Sequence, residues 1–221
     1  MCNLDIDHAE CDLLTEESRR KYDVFTEIYK PICGQELSGT ERKAKKLIGT
    51  EFTYGEIELP YFLALLKLAS NKQGGVFWDL GCGTGKALIA AALGYNKFSK
   101  ICGVELLESL CQTAGKATEK YVKIAEAKGI EKKGELKNLF SVVQGDMTKT
   151  DWFDADLIYA ASTCFPESLM KILAEQGRRL KPGTRIVTLK NFMDSTCYKV
   201  VYNLRVKMTW GKNGVFIIER K

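Results

Sequence analysis

The sequence predicts an α/β protein built on a doubly wound parallel sheet, and three observations support this prediction. From residue 74 onward, short apolar runs alternate with helical patterns. A glycine-rich loop directly follows the first of those runs. The C-terminal stretch 197–221 alternates apolar and polar residues around "GKNG", a turn signal at residues 211–214. This stretch therefore predicts a hairpin that adds at least one antiparallel strand.

Strands and helices follow one another in the predicted core. The first strand, residues 74–80, is apolar and ends in the glycine loop. A helix at about 167–180 is closed by "KPG". The other predicted strands are 100–106, 139–146, 155–162 and 184–190, and the other early helix is 86–95. A long amphipathic helix is predicted by the apolar spacing of Leu110, Ala114, Ala117, Tyr121, Ile124 and Ala125.

The chain divides into two predicted parts. Residues 1–71 are mostly helical in pattern and are expected to form an N-terminal cap on the sheet, while residues 72–221 form the core. Within the cap, "TYGEIELPYF" at 53–62 predicts a helix start, because Pro60 suits a first turn.

Composition excludes several classes of protein. With 45% hydrophobic and 28% charged residues, the 221-residue chain has the composition of a soluble globular protein. It contains no apolar run of about 18 residues, so no membrane partner is expected. The N-terminus lacks a signal-peptide pattern, which predicts an intracellular location, cytoplasmic or nuclear. Nothing in the sequence predicts an oligomeric state.

Metal binding is not expected either. Eight cysteines occur without a C-x-x-C pair, and His8 is the single histidine. The net charge of +5 includes clusters of lysine and arginine, which leaves a nucleic-acid partner open.

The glycine loop "DLGCGTGK" spans residues 79–86. Gly81, Gly83 and Gly85 lie between a strand and a helix, where the absence of side chains lets the backbone approach a ligand closely. Asp79 begins the loop. This acid would repel a pyrophosphate, and the spacing differs from the dinucleotide pattern G-x-G-x-x-G and from the Walker pattern. The carboxylate of Asp79 suits instead the cationic amino-acid part of S-adenosylmethionine.

Two further acids end the next strands. Glu105 stands at the tip of the second strand, where a carboxylate can accept both hydroxyls of a ribose. Asp146 ends the third strand and can accept from an adenine amine. Because the carboxyl ends of parallel strands meet at one rim, the three acids predict a nucleoside site.

This combination resembles the class I S-adenosylmethionine-dependent methyltransferases, over about residues 74–221. The resemblance implies a Rossmann-like, seven-stranded doubly wound sheet with an antiparallel last strand. S-adenosylmethionine would be the methyl donor and S-adenosylhomocysteine the product. Ahead of the core, Tyr54-Gly55-Glu56 is similar to a loop of the non-SET histone-lysine methyltransferases of the disruptor-of-telomeric-silencing family. That narrower resemblance implies a helical cap whose loop covers the cofactor, and a protein lysine as acceptor.

The resemblance also implies the residues of the cofactor site. Ile57 takes the fourth position of the covering loop, and Met147 takes the aromatic position after the adenine acid. The implied cofactor-binding residues are Tyr54, Gly55, Glu56, Ile57, Asp79, Gly81, Cys82, Gly83, Gly85, Lys86, Glu105, Leu106, Asp146, Met147 and Ala161.

The acceptor half departs from the family. Paired asparagines are replaced by Ala161-Ser162, a glutamine by Lys86, and a tyrosine by Ile217. An RNA or small-molecule acceptor, or a non-catalytic S-adenosylmethionine-binding module, therefore stays open. The acceptor channel is expected in "STCFPE", 162–167, with no dedicated catalytic base, because desolvation can favour a neutral amine. Candidate channel residues are Ser162, Phe165, Phe192 and Trp210, with core packing as the alternative for each of the three aromatic residues.

Overall fold

A computed structural model describes residues 3–5, 16–49, 54–55, 58–94, 97–191, 194, 196–208 and 211–221. The strands are β1 (Asn3–Asp5), β2 (Val76–Leu80), β3 (Lys100–Glu105), β4 (Phe140–Gln144), β5 (Leu157–Ala160), β6 (Arg185–Thr188), β7 (Tyr198–Met208) and β8 (Gly211–Arg220). They form one sheet in the order β1-β7-β8-β6-β5-β2-β3-β4.

Six α-helices flank this sheet within the described residues. They are α1 (Glu16–Tyr29), α2 (Gly34–Ala44), α3 (Leu59–Ala69), α4 (Lys86–Leu93), α5 (Glu108–Ala127) and α6 (Glu167–Gln176). Strands β2 to β6 and β7 run in one direction, and β8 is antiparallel to both of its neighbours, β6 and β7. The predicted fold class, a doubly wound sheet with an antiparallel last strand, is confirmed.

The eighth strand was not predicted. Strand β1 pairs parallel to β7, with Asn3 opposite Asn203 and Asp5 opposite Arg205. Residues 3–5 thus extend the edge of the sheet and do not belong to a helix of the cap. A three-residue strand carries too little periodicity to be recognised before its partner is known.

The predicted turn at "GKNG" is wrong. Asn213 pairs with Val206 and Gly214 with Arg205, so these residues lie inside β8. Pairing continues to Met208 opposite Gly211. The physical reason is burial, because Leu204, Val206 and Met208 are each 1% exposed and form one apolar face. Strand β7 must extend to residue 208 to bury the last of them, and residues 209–210 lie outside the described residues.

Both faces of the sheet are covered, which accounts for its apolar strands. In β2, Phe77 contributes to a core shared with α3 and α4, while its neighbour Trp78 contributes to a core shared with α6. Helix α1 packs against α4 and α5, and α2 packs against α5. The division into a cap, 1–71, and a core, 72–221, stays a prediction. None of the described helices has the length and apolar character that crossing a bilayer requires.

Candidate functional site

A cavity of about 660 Å³ opens where β2, β3, β4 and β5 end. The strand order reverses between β5 and β2, which is the point where open α/β sheets bind ligands. Most of the predicted cofactor residues line this cavity. They are Tyr54, Gly55, Asp79, Gly81, Cys82, Gly83, Lys86, Glu105, Leu106, Asp146, Met147 and Ala161.

The glycine loop has a left-handed backbone at its three glycines. Gly81, Gly83 and Gly85 have φ values of 88°, 54° and 81°, which residues with side chains rarely adopt. The amides of Gly81 and Cys82 both donate to the Val104 carbonyl, at 2.9 and 3.0 Å, and tie the loop to β3. Gly85 does not line the cavity; it precedes α4, where a Cβ would lie 3.1 Å from that of Ala114.

Asp79 is a buried carboxylate, 2% exposed, at the end of β2. No described residue donates a hydrogen bond to its Oδ1. Burial, and then the nearby charge of Glu105, raise the pKa of Asp79 well above its ordinary value. A cationic group in the cavity would satisfy this oxygen and restore its charge.

Glu105 is held by two backbone amides. Its Oε2 accepts from the Gly83 amide and its Oε1 from the Leu107 amide, both at 2.9 Å. Burial raises the pKa of Glu105, while these hydrogen bonds act in the opposite direction. Each carboxylate oxygen keeps a second lone pair, so Glu105 can still accept from two ribose hydroxyls.

Asp146 lies in a tight turn after β4. Its Oδ1 accepts from the Thr148 amide at 2.8 Å and from the Thr148 hydroxyl at 2.7 Å. Partial burial opposes ionisation, but these bonds outweigh it and lower the pKa of Asp146. The Met147 carbonyl accepts from Trp152 Nε1 at 2.9 Å, which fixes the next residue of the turn.

Tyr54 joins the N-terminal helices to the glycine loop. Its hydroxyl lies 2.9 Å from Thr84 Oγ1, and the Tyr29 hydroxyl donates to the Thr84 carbonyl at 3.2 Å. A Cβ would lie 2.7 Å from Tyr54 Cε2 at Gly83 and 2.3 Å from Tyr54 Cζ at Gly34. The ring therefore fits between two glycines. Glu56 and Ile57, the rest of the predicted covering loop, lie outside the described residues.

On the acceptor side, Ser162 does not line the cavity, contrary to its prediction as a channel residue. It is 0% exposed in a 3₁₀ helix, Ser162–Cys164. Its Oγ accepts from the amides of Leu189 and Lys190, both at 3.0 Å, and lies 2.7 Å from Thr188 Oγ1. These bonds join the end of β5 to the end of β6.

The neighbours of Ser162 do face the cavity. Ala161, Thr163, Cys164 and Phe165 all line it, and Phe165 is 6% exposed. Thr163 Oγ1 is buried and has no hydrogen-bond partner among the described residues. Phe192 and Trp210 lie outside the described residues, so their placement in the channel stays a prediction.

Two family departures have different locations. Lys86 lines the cavity at the start of α4, with Nζ 5.3 Å from the centre of the Tyr29 ring. Ile217 is 0% exposed and pairs with Val187 and Tyr202 inside the sheet. Of these two departures, only Lys86 changes the chemistry of the cavity wall, to which Ala161, in place of a family asparagine, also belongs.

Several cavity residues were missed by sequence reasoning. Gln35 reaches the cavity from α2, far away in sequence, and no local pattern indicates it. Ile172 lines the cavity from α6 and is 45% exposed. An apolar residue on the polar side of a predicted helix could have indicated this contact. The other missed residues include Leu107, Leu110, Tyr159, Ser168 and Leu169, whereas Thr163 lies within the predicted channel stretch 162–167.

Comparison with known proteins gives a family match. The family described as "Histone methylation protein DOT1" matches residues 41–209. A histone-lysine N-methyltransferase, H3 lysine-79 specific, from Dictyostelium discoideum is 24% identical over 77% of this chain and 9% of that protein. The chain thus spans a small part of that relative.

Two further similarities concern proteins closer in size. A protein-lysine N-methyltransferase from Saccharolobus islandicus is 28% identical over 56% of this chain and 67% of its own length. The crystal structure of a proposed RNA methyltransferase from Pyrococcus horikoshii covers 94% of this chain and 98% of that chain, with a TM-score of 0.58 and 14% identity. At that identity the structural similarity shows the fold alone.

Proposed function

The chain belongs to the histone methylation family described as DOT1, and on this premise we propose that it transfers a methyl group from S-adenosylmethionine to a lysine side chain of a protein. The observation that carries the proposal is the unsatisfied carboxylate of Asp79. It is buried at the cavity, and its Oδ1 has no partner among the described residues. Such a group favours a cationic ligand over a phosphate or a neutral one.

The residues around the cavity fit S-adenosylmethionine. Asp79 would bind its positive charge, Glu105 its ribose hydroxyls and Asp146 its adenine amine. When bound, the cofactor supplies a methyl group on a positively charged sulfur. The chain's own contribution is to hold this group in line with the acceptor and to exclude water from the cavity. Tyr54, fixed between Gly34 and Gly83, closes one side.

A lysine acceptor must lose its proton before it can attack. Apolar cavity residues such as Met147, Tyr159 and Phe165 would favour the neutral amine by desolvation, which makes a dedicated base unnecessary. Thr163 Oγ1 offers a hydrogen-bond acceptor for the remaining N–H groups. An intracellular location, cytoplasmic or nuclear, fits such a substrate.

Protein lysine is favoured as acceptor by the relatives. Both the Dictyostelium and the Saccharolobus proteins are described as lysine methyltransferases, one acting on histone H3 and one on protein. Ala161 and Ser162 replace the asparagines of the family, so the test of the proposal offers the enzyme both cell extract and isolated histones.

Methyl transfer from radiolabelled S-adenosylmethionine tests the proposal. Wild-type protein is incubated with cell extract or isolated histones, and the products are treated with protease or nuclease. We expect protease-sensitive label that amino-acid analysis identifies as methyllysine, and none with Glu105→Ala. The control Asp156→Asn alters a carboxylate remote from the cavity and should keep activity.

Other outcomes are informative. Label that only nuclease removes would overturn the protein-lysine acceptor and indicate RNA. Tight S-adenosylmethionine binding without label in any fraction would indicate a non-catalytic binding module.

A further inference from the structure

The start of α5 follows the ribose acid directly and lacks a cap of its own. Strand β3 ends at Glu105, and α5 begins at Glu108. Leu107 stands at the N-cap, and its own side chain makes no capping hydrogen bond. Leucine has no oxygen to offer, so these amides need acceptors from elsewhere.

Glu41 of α2 supplies them from 67 residues away. Its Oε1 accepts from the Glu108 amide at 2.9 Å, and its Oε2 accepts from the Ser109 amide at 2.8 Å. The Ser109 hydroxyl donates to the same Oε2 at 2.5 Å. One carboxylate thus caps a helix that belongs to a different part of the chain.

Its surroundings keep Glu41 ionised. The side chain is 9% exposed, and Lys45 Nζ lies 2.6 Å from Oε1. Burial acts against ionisation, but the bonds from Lys45, Ser109 and Glu108 outweigh it and lower the pKa of Glu41 to about 2. The negative charge also lies at the positive end of the α5 dipole.

Two carboxylates therefore share three consecutive amides. The Leu107 amide donates to Glu105, and the next two amides donate to Glu41. The turn that directs Glu105 into the cavity is thus held at the Leu107 amide by Glu105 itself and at the Glu108 and Ser109 amides by Glu41. We propose that Glu41 is a positioning residue for the cofactor site, which holds Glu105 in the orientation that binds the ribose hydroxyls.

The other end of α2 reaches the same cavity. Gly34 contacts the Tyr54 ring, and Gln35 lines the cavity wall. Helix α2 therefore touches the site at its first turn and fixes the ribose acid at its third. Through these contacts, ordering of α2 is coupled to binding of the nucleoside.

The proposal rests on the proposed function, and its test uses binding instead of methyl transfer. Isothermal titration measures the affinity for S-adenosylhomocysteine and for its 2′-deoxy analogue, in wild type, Glu41→Gln and Asp156→Asn. We expect Glu41→Gln to lower the affinity for S-adenosylhomocysteine about 10-fold, a change in free energy similar to that of one lost helix cap. In wild type, the 2′-deoxy analogue should bind about 10-fold more weakly than S-adenosylhomocysteine, because it lacks the hydroxyl that Glu105 accepts from. In Glu41→Gln this difference in affinity should shrink to about 3-fold.

The matched control separates positioning from stability. Asp156 has a side chain 14% exposed and accepts from the Val76 amide at 2.9 Å, at the opposite end of β2. Asp156→Asn should lower the melting temperature but keep both affinities and their ratio. An unchanged ratio in folded Glu41→Gln would overturn the proposal, whereas failure of wild type to bind would overturn the proposed function.

A second measurement uses wild type alone, in case Glu41→Gln does not fold. Hydrogen exchange is followed with and without S-adenosylhomocysteine. We expect the ligand to slow exchange of the Glu108 and Ser109 amides and of α2. Unchanged exchange in both regions, with the ligand bound, would overturn the proposal.

Discussion

At the ends of β2 and β3, the carboxylates of Asp79 and Glu105 line the cavity and can accept further hydrogen bonds from a ligand. Beyond the end of β5, most polar groups are hydrogen-bonded to other groups of the protein. Asp79 Oδ1 has no partner among the described residues, and each carboxylate oxygen of Glu105 accepts from one amide and keeps a second lone pair. Ser162, by contrast, accepts from two amides and lies against the Thr188 hydroxyl. The cofactor side is prepared for a charged ligand, and the acceptor side is fixed by its own packing.

This difference has an energetic meaning. An unsatisfied buried polar group costs about 1–3 kcal/mol, and a cationic ligand that bonds to Asp79 Oδ1 would offset this cost. The Ser162 network has the opposite effect, because it stabilises the ends of β5 and β6. The first arrangement therefore indicates binding, and the second indicates a scaffold on which cavity residues such as Thr163 and Phe165 are presented.

Asp79→Asn should produce the largest effect on the cofactor side. Removing the negative charge that faces a cationic ligand should lower the affinity for S-adenosylmethionine by about 100-fold or more, as measured by titration calorimetry. The same change should raise the free energy of unfolding of the ligand-free protein by about 1–3 kcal/mol at neutral pH, measured by urea denaturation.

The sign follows from the raised pKa of Asp79. Because burial and Glu105 raise it in the folded state, the contribution of Asp79 to stability is greatest below the ordinary pKa of aspartate and is lost as pH rises through the folded value. Affinity has the opposite dependence, since the ligand needs the carboxylate: wild-type binding should weaken on acidification, and this dependence should be lost in Asp79→Asn. Parallel pH profiles for the two proteins would argue that Asp79 does not meet the positive charge.

Ser162→Ala should give the largest effect on the acceptor side, and it should be one of stability. Loss of Oγ leaves the amides of Leu189 and Lys190 without their acceptor and should lower the free energy of unfolding by about 2–4 kcal/mol. Urea denaturation measures this loss. Affinity for S-adenosylmethionine should stay at the wild-type value, because Ser162 does not line the cavity.

The neighbouring variant Thr163→Ala is the matched control. Its Oγ1 is buried and has no described partner, so its removal should leave the free energy of unfolding unchanged or raise it by up to about 1–3 kcal/mol, and should not lower it. If Ser162→Ala instead kept full stability and lost methyl transfer, Ser162 would be a channel residue after all.

Gly34→Ala should have a smaller effect, on the contact between α2 and the site. A Cβ at Gly34 would lie 2.3 Å from Tyr54 Cζ, so the ring must move and affinity for S-adenosylmethionine should fall about 5- to 10-fold. In a Tyr54→Ala background the substitution should have no further effect, as a double-mutant cycle would measure.

Gly39→Ala in the same helix is the control. Nothing lies within 4 Å of a Cβ at Gly39, so alanine should leave affinity unchanged and stabilise the helix by up to about 1 kcal/mol. Equal losses of affinity at both positions would show that the Tyr54 contact is not the cause.

Local signals were enough for much of this molecule. Strands β2 to β6 and helices α4 to α6 follow from apolar runs and helical spacing. The glycine loop, Asp79, Glu105 and Asp146 were predicted because each stands at a strand end, and parallel strands bring their ends to one rim. Strand pairing, which is not a local property, explains where the prediction of the hairpin was wrong: "GKNG" resembles a turn but lies within β8.

The sequence by itself determined the fold class and the acidic nucleoside rim, because periodicity and strand ends are local properties of the chain. Only the tertiary structure decided that Ser162 is buried while Thr163 faces the cavity, since a shift of one residue in a short 3₁₀ helix exchanges the two. Only the tertiary structure showed that Gln35 of α2 reaches the cavity and that Glu41 of α2 reaches the start of α5. Those contacts join residues far apart in sequence, and packing of helix against helix, which leaves no local pattern, sets them.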